Sequence, residues 1–428
     1  MFHLIGIKDI EMCSLAQFIS TLGYKIDGSD IEDNFSTSVL LKNSNIKVKN
    51  YSTDNITDDM FIIVSDNIDE NNIELERAKE LGLKIYTCSQ MKSRFTSMFE
   101  TIAVSGCVGK DITTLMMTYV LSFVKGCNYL LDDGRGYALK ENKYLCLECN
   151  ENKKEFLNIN PYYSVITNID LNYPDYYKSI DQVISAYQEF ASKTEKMVLA
   201  NGDDRYTRLL NLNVPIFYYG LNDDNDIIAK EVEYTKNGTN FEVHVEGNFY
   251  GNFELPIYGK AMLLNTLAVI GLCHYERIES KDVLKALKDF FNNNKVYEEK
   301  HLKNLIMVNS EINHPLEIKN TIKAYKQKYP DKSIETIFNS DELFNNSIFD
   351  NRLVDYINLS DKAYIVNEIG NDIKDKIVDI NNKEIMSNDS INKLINKKDI
   401  VLLLFSNKKP NTIQMEIENG FKNKHKAL

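Results

Sequence analysis

Val104-Ser105-Gly106-Cys107-Val108-Gly109-Lys110-Asp111-Ile112-Thr113-Thr114 reads as the end of a strand, a glycine turn and the start of a helix. The apolar run Thr101–Val104 leads in, and Leu115–Phe123 leads out. A turn of this kind points backbone N–H groups and a lysine at a phosphate. It predicts an α/β nucleotide-binding unit with Gly106, Gly109, Lys110 and Thr113 at its mouth. Two positions depart from the full phosphate-loop pattern. Val104 stands where the pattern has its first glycine. Asp111 follows the lysine, where a Ser or Thr hydroxyl would meet Mg²⁺. A carboxylate there can still ligate a metal, but it adds negative charge beside the phosphates.

Outward from this turn, the chain keeps an α/β rhythm in both directions. Towards the N-terminus, the apolar run Phe2–Ile7, helical spacing over Met12–Leu22 and a second strand leading into Gly28-Ser29-Asp30 make a βαβ opening. An acidic residue after the second strand is usual in dinucleotide folds. The first turn reads Gly6-Ile7-Lys8-Asp9-Ile10-Glu11, with carboxylates where a phosphate-cradling turn needs glycine. Carboxylates favour a helix N-terminus and would repel a diphosphate in the same place. Two readings stay open: an anion site filled by the chain's own carboxylates, or one that still binds a nucleotide sugar in altered form. Strands at Met60–Val64 and Leu83–Thr87 flank a helix at Ile73–Leu81, and Ser89–Phe99 reads as a link to the next domain.

Beyond the phosphate loop, strands are expected at Lys143–Glu148, Tyr163–Asn168 and Met197–Ala200, then a meander over Val214–Leu255. Helical periodicity returns at Met262–Leu272 and Ser280–Phe291, and the Asn292–Asn294 run stops it. The last part alternates helices at Ile318–Gln327, Leu353–Asn358 and Ile391–Ile395 with strands at Ile334–Phe338, Ala363–Val366 and Ile400–Phe405. The expected division is 1–98, 99–297 and 298–428.

Bulk properties agree with a multidomain globular chain. At 428 residues, two or three domains are expected. A net charge of −12 argues against general nucleic-acid binding. No apolar stretch approaches the roughly 20 residues that span a bilayer, so no membrane insertion is expected. Seven scattered cysteines point to the reducing cytoplasm. Cys146 and Cys149 form a CxxC, but no second pair follows at zinc spacing, and buried strand thiols are expected.

In this order and spacing, several blocks resemble the Mur ligase family, in particular its alanine-adding branch of the type found in Bacillus-like bacteria. They are Phe2–Lys8 with Met12 and Ser14–Gln17; Gly28-Ser29-Asp30; and Ser105-Gly106, Gly109-Lys110 and Thr113-Thr114. Thr167-Asn168-Ile169-Asp170 with Pro174-Asp175-Tyr176, Tyr258-Gly259, Leu264-Asn265 and His314-Pro315 with Glu317-Ile318 complete the series. The resemblance implies three domains: a Rossmann-like N-terminal domain for the UDP-substrate, a central P-loop ATPase-like domain and a C-terminal Rossmann-like α/β domain. It also implies ATP- and Mg²⁺-dependent amide formation through an acyl phosphate in peptidoglycan precursor synthesis.

Carried over residue by residue, the resemblance makes Lys110 the phosphate-loop lysine and Asn265 the adenine contact. Asp111 and Glu148 become the candidate metal ligands, with Glu151 the second acid of that motif. Gly6, Ser29, Asp30, Lys153, Lys154 and His314 fall at substrate-type positions, and Lys295 is the surviving boundary cation. The departures are as informative. Tyr173 replaces a metal histidine and Asn172 its acidic neighbour. Lys153-Lys154 stand for an arginine pair and lose its bidentate fork. Ala261-Met262 replace a His-Asn pair, Asn345 an arginine, Ser406-Asn407-Lys408-Lys409 a glycine turn, and Asp9 and Glu11 two glycines. Losing one transition-state group commonly costs about 2.7–4 kcal/mol.

The expectation is therefore a catalytically inactive or strongly impaired homologue with a structural or regulatory role. Its partner would be a cell-wall synthesis protein or a residual UDP-sugar, with ATP and Mg²⁺ bound only where binding survives. An active ligase, and a nucleotide sensor without ligation, are the alternatives.

Overall fold

The computed structural model describes residues 1–33, 35–294, 296–302, 305–339, 351–366, 380–385, 394 and 399–406. The first domain runs β1 (Phe2–Ile5), α1 (Ile10–Thr21), β2 (Ile26–Ser29), α2 (Thr37–Asn43), β3 (Lys47–Lys49), β4 (Phe61–Val64), α3 (Ile73–Glu80), β5 (Lys84–Thr87) and α4 (Cys88–Thr96). Its strands form an all-parallel sheet in the order β3-β2-β1-β4-β5. The order reverses between β1 and β4, which places a ligand crevice at their carboxyl ends. The stretch expected as a link is helix α4. Its start carries a capping box, in which the Thr87 hydroxyl accepts from the Gln90 amide and the Gln90 side chain accepts from the Thr87 amide. Phe95 of this helix packs on Phe18 of α1 at 5.5 Å between ring centroids.

The central domain comprises β6 (Glu100–Ser105), α5 (Lys110–Val124), β7 (Cys127–Leu130), β8 (Gly136–Tyr137), β9 (Tyr144–Cys149), β10 (Tyr163–Ile166), α6 (Ile180–Ser192), β11 (Met197–Asn201), β12 (Ile216–Gly220), β13 (Ile227–Thr235), β14 (Gly238–Val245), β15 (Asn248–Leu255), α7 (Gly259–Tyr275) and α8 (Ser280–Asn293). Ten strands form one sheet in the order β15-β14-β13-β12-β11-β10-β6-β9-β7-β8. The strands flanking the phosphate loop are parallel and apolar, as strands covered on both faces must be. One face packs on α5, α7 and α8 through residues such as Met116, Val120, Leu267 and Phe290. The other packs on α6 through Val183, Tyr187 and Phe190, in a cluster continuous with Leu4, Phe18 and Met91 of the first domain. The Thr21 hydroxyl accepts from the Ala138 amide at 2.8 Å, tying α1 to the segment after β8.

The third domain has β16 (Glu299–Leu302), β17 (Leu305–Glu311), α9 (Pro315–Lys328), β18 (Ser333–Asn339), α10 (Asn351–Ile357), β19 (Lys362–Val366), β20 (Lys383–Ile385) and β21 (Ile400–Ser406). Among the described residues the sheet order is β16-β17-β21-β18-β19-β20. Of the helix expected at 391–395, only Leu394 lies within the described residues. Gln327 joins α9 to the central domain: it accepts from the Gly259 amide at 2.6 Å and donates to the carbonyls of Thr235 and Gly238 at 3.0 Å. No helix among the described residues is long and apolar enough to cross a membrane.

Candidate functional site

The phosphate loop is held from beneath by the segment after β10. The Val108 amide donates to Asn168 Oδ1 at 3.1 Å, and the Cys107 amide to the Asn168 carbonyl at 3.4 Å. In return, the Thr167 hydroxyl and the Asn168 side-chain amide donate to the Val108 carbonyl at 2.9 and 2.6 Å. This close fit requires the glycines. Gly106 has φ +149°, and a Cβ there would lie 1.9 Å from Thr167 Oγ1. Gly109 has φ +83°, and its Cβ would lie 2.6 Å from Asn265 Nδ2. Thr113 turns its hydroxyl back to the Gly109 carbonyl at 2.7 Å.

Charge around the loop is mostly negative. Burial opposes the charge of Lys110, but Glu151, Tyr173, Asp111 and Glu148 outweigh it and raise the lysine above its ordinary value. Glu151 is 1% exposed; its Oε1 accepts from Asn172 at 3.1 Å, and Oε2 has no hydrogen-bond partner among the described residues. Burial, then Asp132 and Asp111, push Glu148 up to about 8. Burial pushes Glu317 up to about 7, and Asp111 adds to the rise. The surrounding protein also raises Asp132, although its side chain still meets solvent at the cleft edge.

Two cavities flank the loop. A cavity of about 200 Å³ between the first and central domains is lined by Asp9, Glu11, Asp66, Asp132, Glu148 and Glu155, with Lys92 as the cation in its wall. Lys92 already pairs with Glu11 at 2.6 Å. The second, of about 380 Å³, lies between the start of α5, the start of α7, β17 and α9. Its wall includes Asp111, Asn265, Glu298, Glu311, Glu317, Tyr258, Tyr297 and Tyr325. Lys110 lines neither cavity.

The first and middle parts of the chain match two models of one family. Residues 1–100 match "Mur ligase family, catalytic domain", and residues 87–273 match "Mur ligase middle domain". The chain belongs to the Mur ligase family. The fold extends this likeness over the remainder. The chain resembles the UDP-N-acetylmuramate-alanine ligase MurC of Thermotoga maritima at a TM-score of 0.75 and 20% identity, covering 100% of this chain and 99% of that one. It resembles a pseudomurein peptide ligase type C from Methanothermus fervidus at 0.73 and 15%, covering 98% and 99%. A murein peptide ligase from Psychrobacter arcticus follows at 0.66 and 17%, covering 99% and 98%.

With the Mur ligase fold in place, the first-domain turn can be read atom by atom. Gly6 and Ile7 donate their amides to the Ser29 carbonyl at 2.9 and 3.1 Å, and Asp9 donates to the Gly6 carbonyl at 3.2 Å. The Lys8 amide donates to Asp30 Oδ2 at 2.7 Å. Asp9 caps α1 by accepting from the Glu11 amide at 3.0 Å, and its other oxygen accepts from Asn67 at 2.7 Å. Ser29 is wholly buried and donates to Glu74.

The remaining site positions separate. Lys153 and Lys154 both sit at positive φ, with Lys154 3.3 Å from Glu189. His314 caps α9 and faces Asp170 at 3.6 Å, while Arg352 donates to the same Asp170 oxygen at 2.8 Å. Lys295, Asn345 and Asn407-Lys408-Lys409 lie outside the described residues, as does the Ser406 side chain. Cys146 meets Cys127 across the sheet at 3.4 Å between sulfurs, whereas Cys149 lines the smaller cavity.

Asp132, Lys92 and Glu317 were not singled out from the sequence as site residues. Glu317 had a local signal: it completes a reciprocal cap with His314 at the start of α9. The others had none, because their partners lie far away in the chain.

The residues present are a poor fit to a Mg²⁺–triphosphate. Mg²⁺ is usually held by one or two carboxylates together with phosphate oxygens, and Asp111 and Glu148 could serve as those carboxylates. The wall of the larger cavity presents four carboxylates and, among the described residues, no lysine or arginine.

Proposed function

We propose that this protein is a Mur ligase homologue of the UDP-N-acetylmuramate–L-alanine ligase type whose ligase chemistry is lost or strongly impaired. It serves peptidoglycan precursor synthesis in a structural or regulatory role, through a cell-wall synthesis protein or a residual UDP-sugar. The chain divides functionally at 98/99 and 297/298. The observation that carries this reading is the turn Gly6–Glu11, whose amides and helix N-terminus are engaged by the chain's own oxygens. A diphosphate there would have to displace Asp9 from the cap and face Glu11 and Asp66 in the same cavity. The carboxylates around Lys110 and the absence of a hydroxyl at Asp111 support the same reading at the ATP side.

Titrating the purified protein with Mg-ATP and UDP-N-acetylmuramate, and then following alanine-dependent phosphate release, tests the reading. No alanine-dependent release is expected. Substantial turnover would show an active ligase in which Asp111, Glu148, Lys153 and Lys154 rebuild the site. Binding without release would identify a nucleotide sensor.

A further inference from the structure

We propose that the amino edge of the first sheet, across β2, β1, β4 and β5, is a docking surface for an acidic segment of a partner protein that carries an aromatic anchor. This rests on the structural or regulatory role proposed above and names the surface and the chemistry of the partner.

A row of side chains crosses the sheet at this edge. Parallel register sets Phe2 opposite Phe61, and Phe61 opposite Lys84. Tyr24 leads into β2 on the other side. Its ring lies 5.5 Å from that of Phe2, edge to face, and the Phe2 ring lies 5.6 Å from that of Phe61. Tyr24 and Phe61 are each 41% exposed, so their rings are not used up by the core. The row continues into the central domain. The bond from the Ala138 amide to the Thr21 hydroxyl sets Leu139 and Lys140 beside Tyr24. Leu139 is exposed, and Lys140 Nζ lies 5.6 Å from the centre of the Tyr24 ring. At the opposite end, Lys84 Nζ lies 6.0 Å from the centre of the Phe61 ring. Single exposed apolar residues are ordinary, but contiguous ones mark a surface that meets another molecule.

Charge selects the partner. A chain of net charge −12 repels acidic segments over most of its surface. This row instead carries a lysine over the ring at each end. Asp59, the nearest acid before Phe61 in the chain, is already engaged by the Thr57 hydroxyl at 2.7 Å. A partner carboxylate can therefore meet Lys84 or Lys140 while an aromatic group beside it covers the rings edge to face or offset. The two ring-to-ring steps of 5.5 and 5.6 Å match about three to four residues of extended chain. The partner segment thus reads acidic, aromatic, acidic within a short stretch. The surface lies at the end of the sheet opposite the crevice at the carboxyl ends of β1 and β4, so docking needs neither a nucleotide nor ligation. It also spans the first and central domains, so one segment touches both.

The test uses the full chain and the fluorescence anisotropy of a labelled random copolymer of glutamate and tyrosine, with labelled polyglutamate as the probe of charge alone. The wild-type protein should bind the copolymer at least tenfold more tightly than polyglutamate. Lys84→Glu/Lys140→Glu and, separately, Tyr24→Ser/Phe61→Thr should each weaken copolymer binding at least tenfold. Lys230→Glu/Lys236→Glu makes the same charge change on the exposed side of the central domain and should leave it unchanged. No copolymer binding by the wild type, equal binding of the two polymers, or equal weakening by the two lysine double variants would overturn the proposal. Alanine-dependent phosphate release from the same preparation decides the loss of ligation separately, so failure of the surface and failure of that reading are told apart.

Discussion

His3 is the residue whose removal should disturb the first domain most. It is fully buried at the second position of β1. Its Nδ1 meets Asp27 Oδ1 at 2.7 Å, and its Nε2 lies 3.5 Å from Glu74 Oε2. Burial works against the imidazolium, but hydrogen bonds and charge from Asp27 and Glu74 outweigh it and raise its pKa above the ordinary 6.5. The sign follows. Folded His3 keeps its proton at pH values where the unfolded residue has lost it. Its stabilisation is complete below about 6.5 and is lost as the pH rises through the higher folded value.

His3→Leu would leave two buried carboxylates short of a partner. Breaking a buried pair costs about 3–5 kcal/mol. The low end applies because Asp27 keeps Lys49 at 2.6 Å, and Glu74 keeps the Ser52 amide at 3.0 Å and Asn55 at 2.6 Å. A loss of about 3 kcal/mol corresponds to about a hundredfold change in an opening equilibrium. Hydrogen exchange of the β1 and β4 amides should therefore accelerate about a hundredfold in the variant near neutral pH. Wild-type protection should decline on the alkaline side, whereas the variant should lack that decline. Equal exchange rates in the two proteins, or a pH-independent wild type, would refute the reasoning.

Other expectations follow from single contacts. Gly106→Ala should destabilise the central domain more than Gly109→Ala in thermal melts. The left-handed backbone of Gly109 costs an L-residue about 1–2 kcal/mol, and Gly106, at φ +149°, is also where L-residues rarely go; but a Cβ on Gly106 also meets Thr167 and the Asn168 amide, whereas on Gly109 it meets only the movable end of Asn265. A double-mutant cycle on Asp170 and Arg352, read by urea unfolding, should give a coupling of about 0.5–1 kcal/mol, the size expected of a partly exposed pair. All seven cysteines are free and buried, so a thiol reagent should label all in denaturant, and in the native protein should spare those away from the smaller cavity, whose wall holds Cys88 and Cys149.

Much of the architecture was legible because the signals are local. A buried parallel strand is a run of apolar residues, and an amphipathic helix repeats every three to four positions, so β1, β6, α1 and α8 follow from periodicity alone. Short elements without such a run did not. β3 is Lys47-Val48-Lys49, and α2 has only Thr37 and Leu41 buried; neither has enough apolar surface to stand out. Helix α4 was legible in principle through Thr87-x-x-Gln90, a cap that depends only on neighbours in the chain.

The sequence by itself determined the phosphate-loop framework, the carboxylate at position 111, the glycine positions exchanged for Asp9 and Glu11, and the family to which these belong. Tertiary structure alone decided what surrounds them. It placed Lys110 outside the cavity walls among the charges of Glu151 and Asp111, brought Glu317 across from another domain, and engaged the amides of the first turn. The division has a physical cause. Periodicity and turn chemistry act between residues close in sequence, whereas charge, burial and hydrogen bonding depend on distance through space, which only the folded chain specifies.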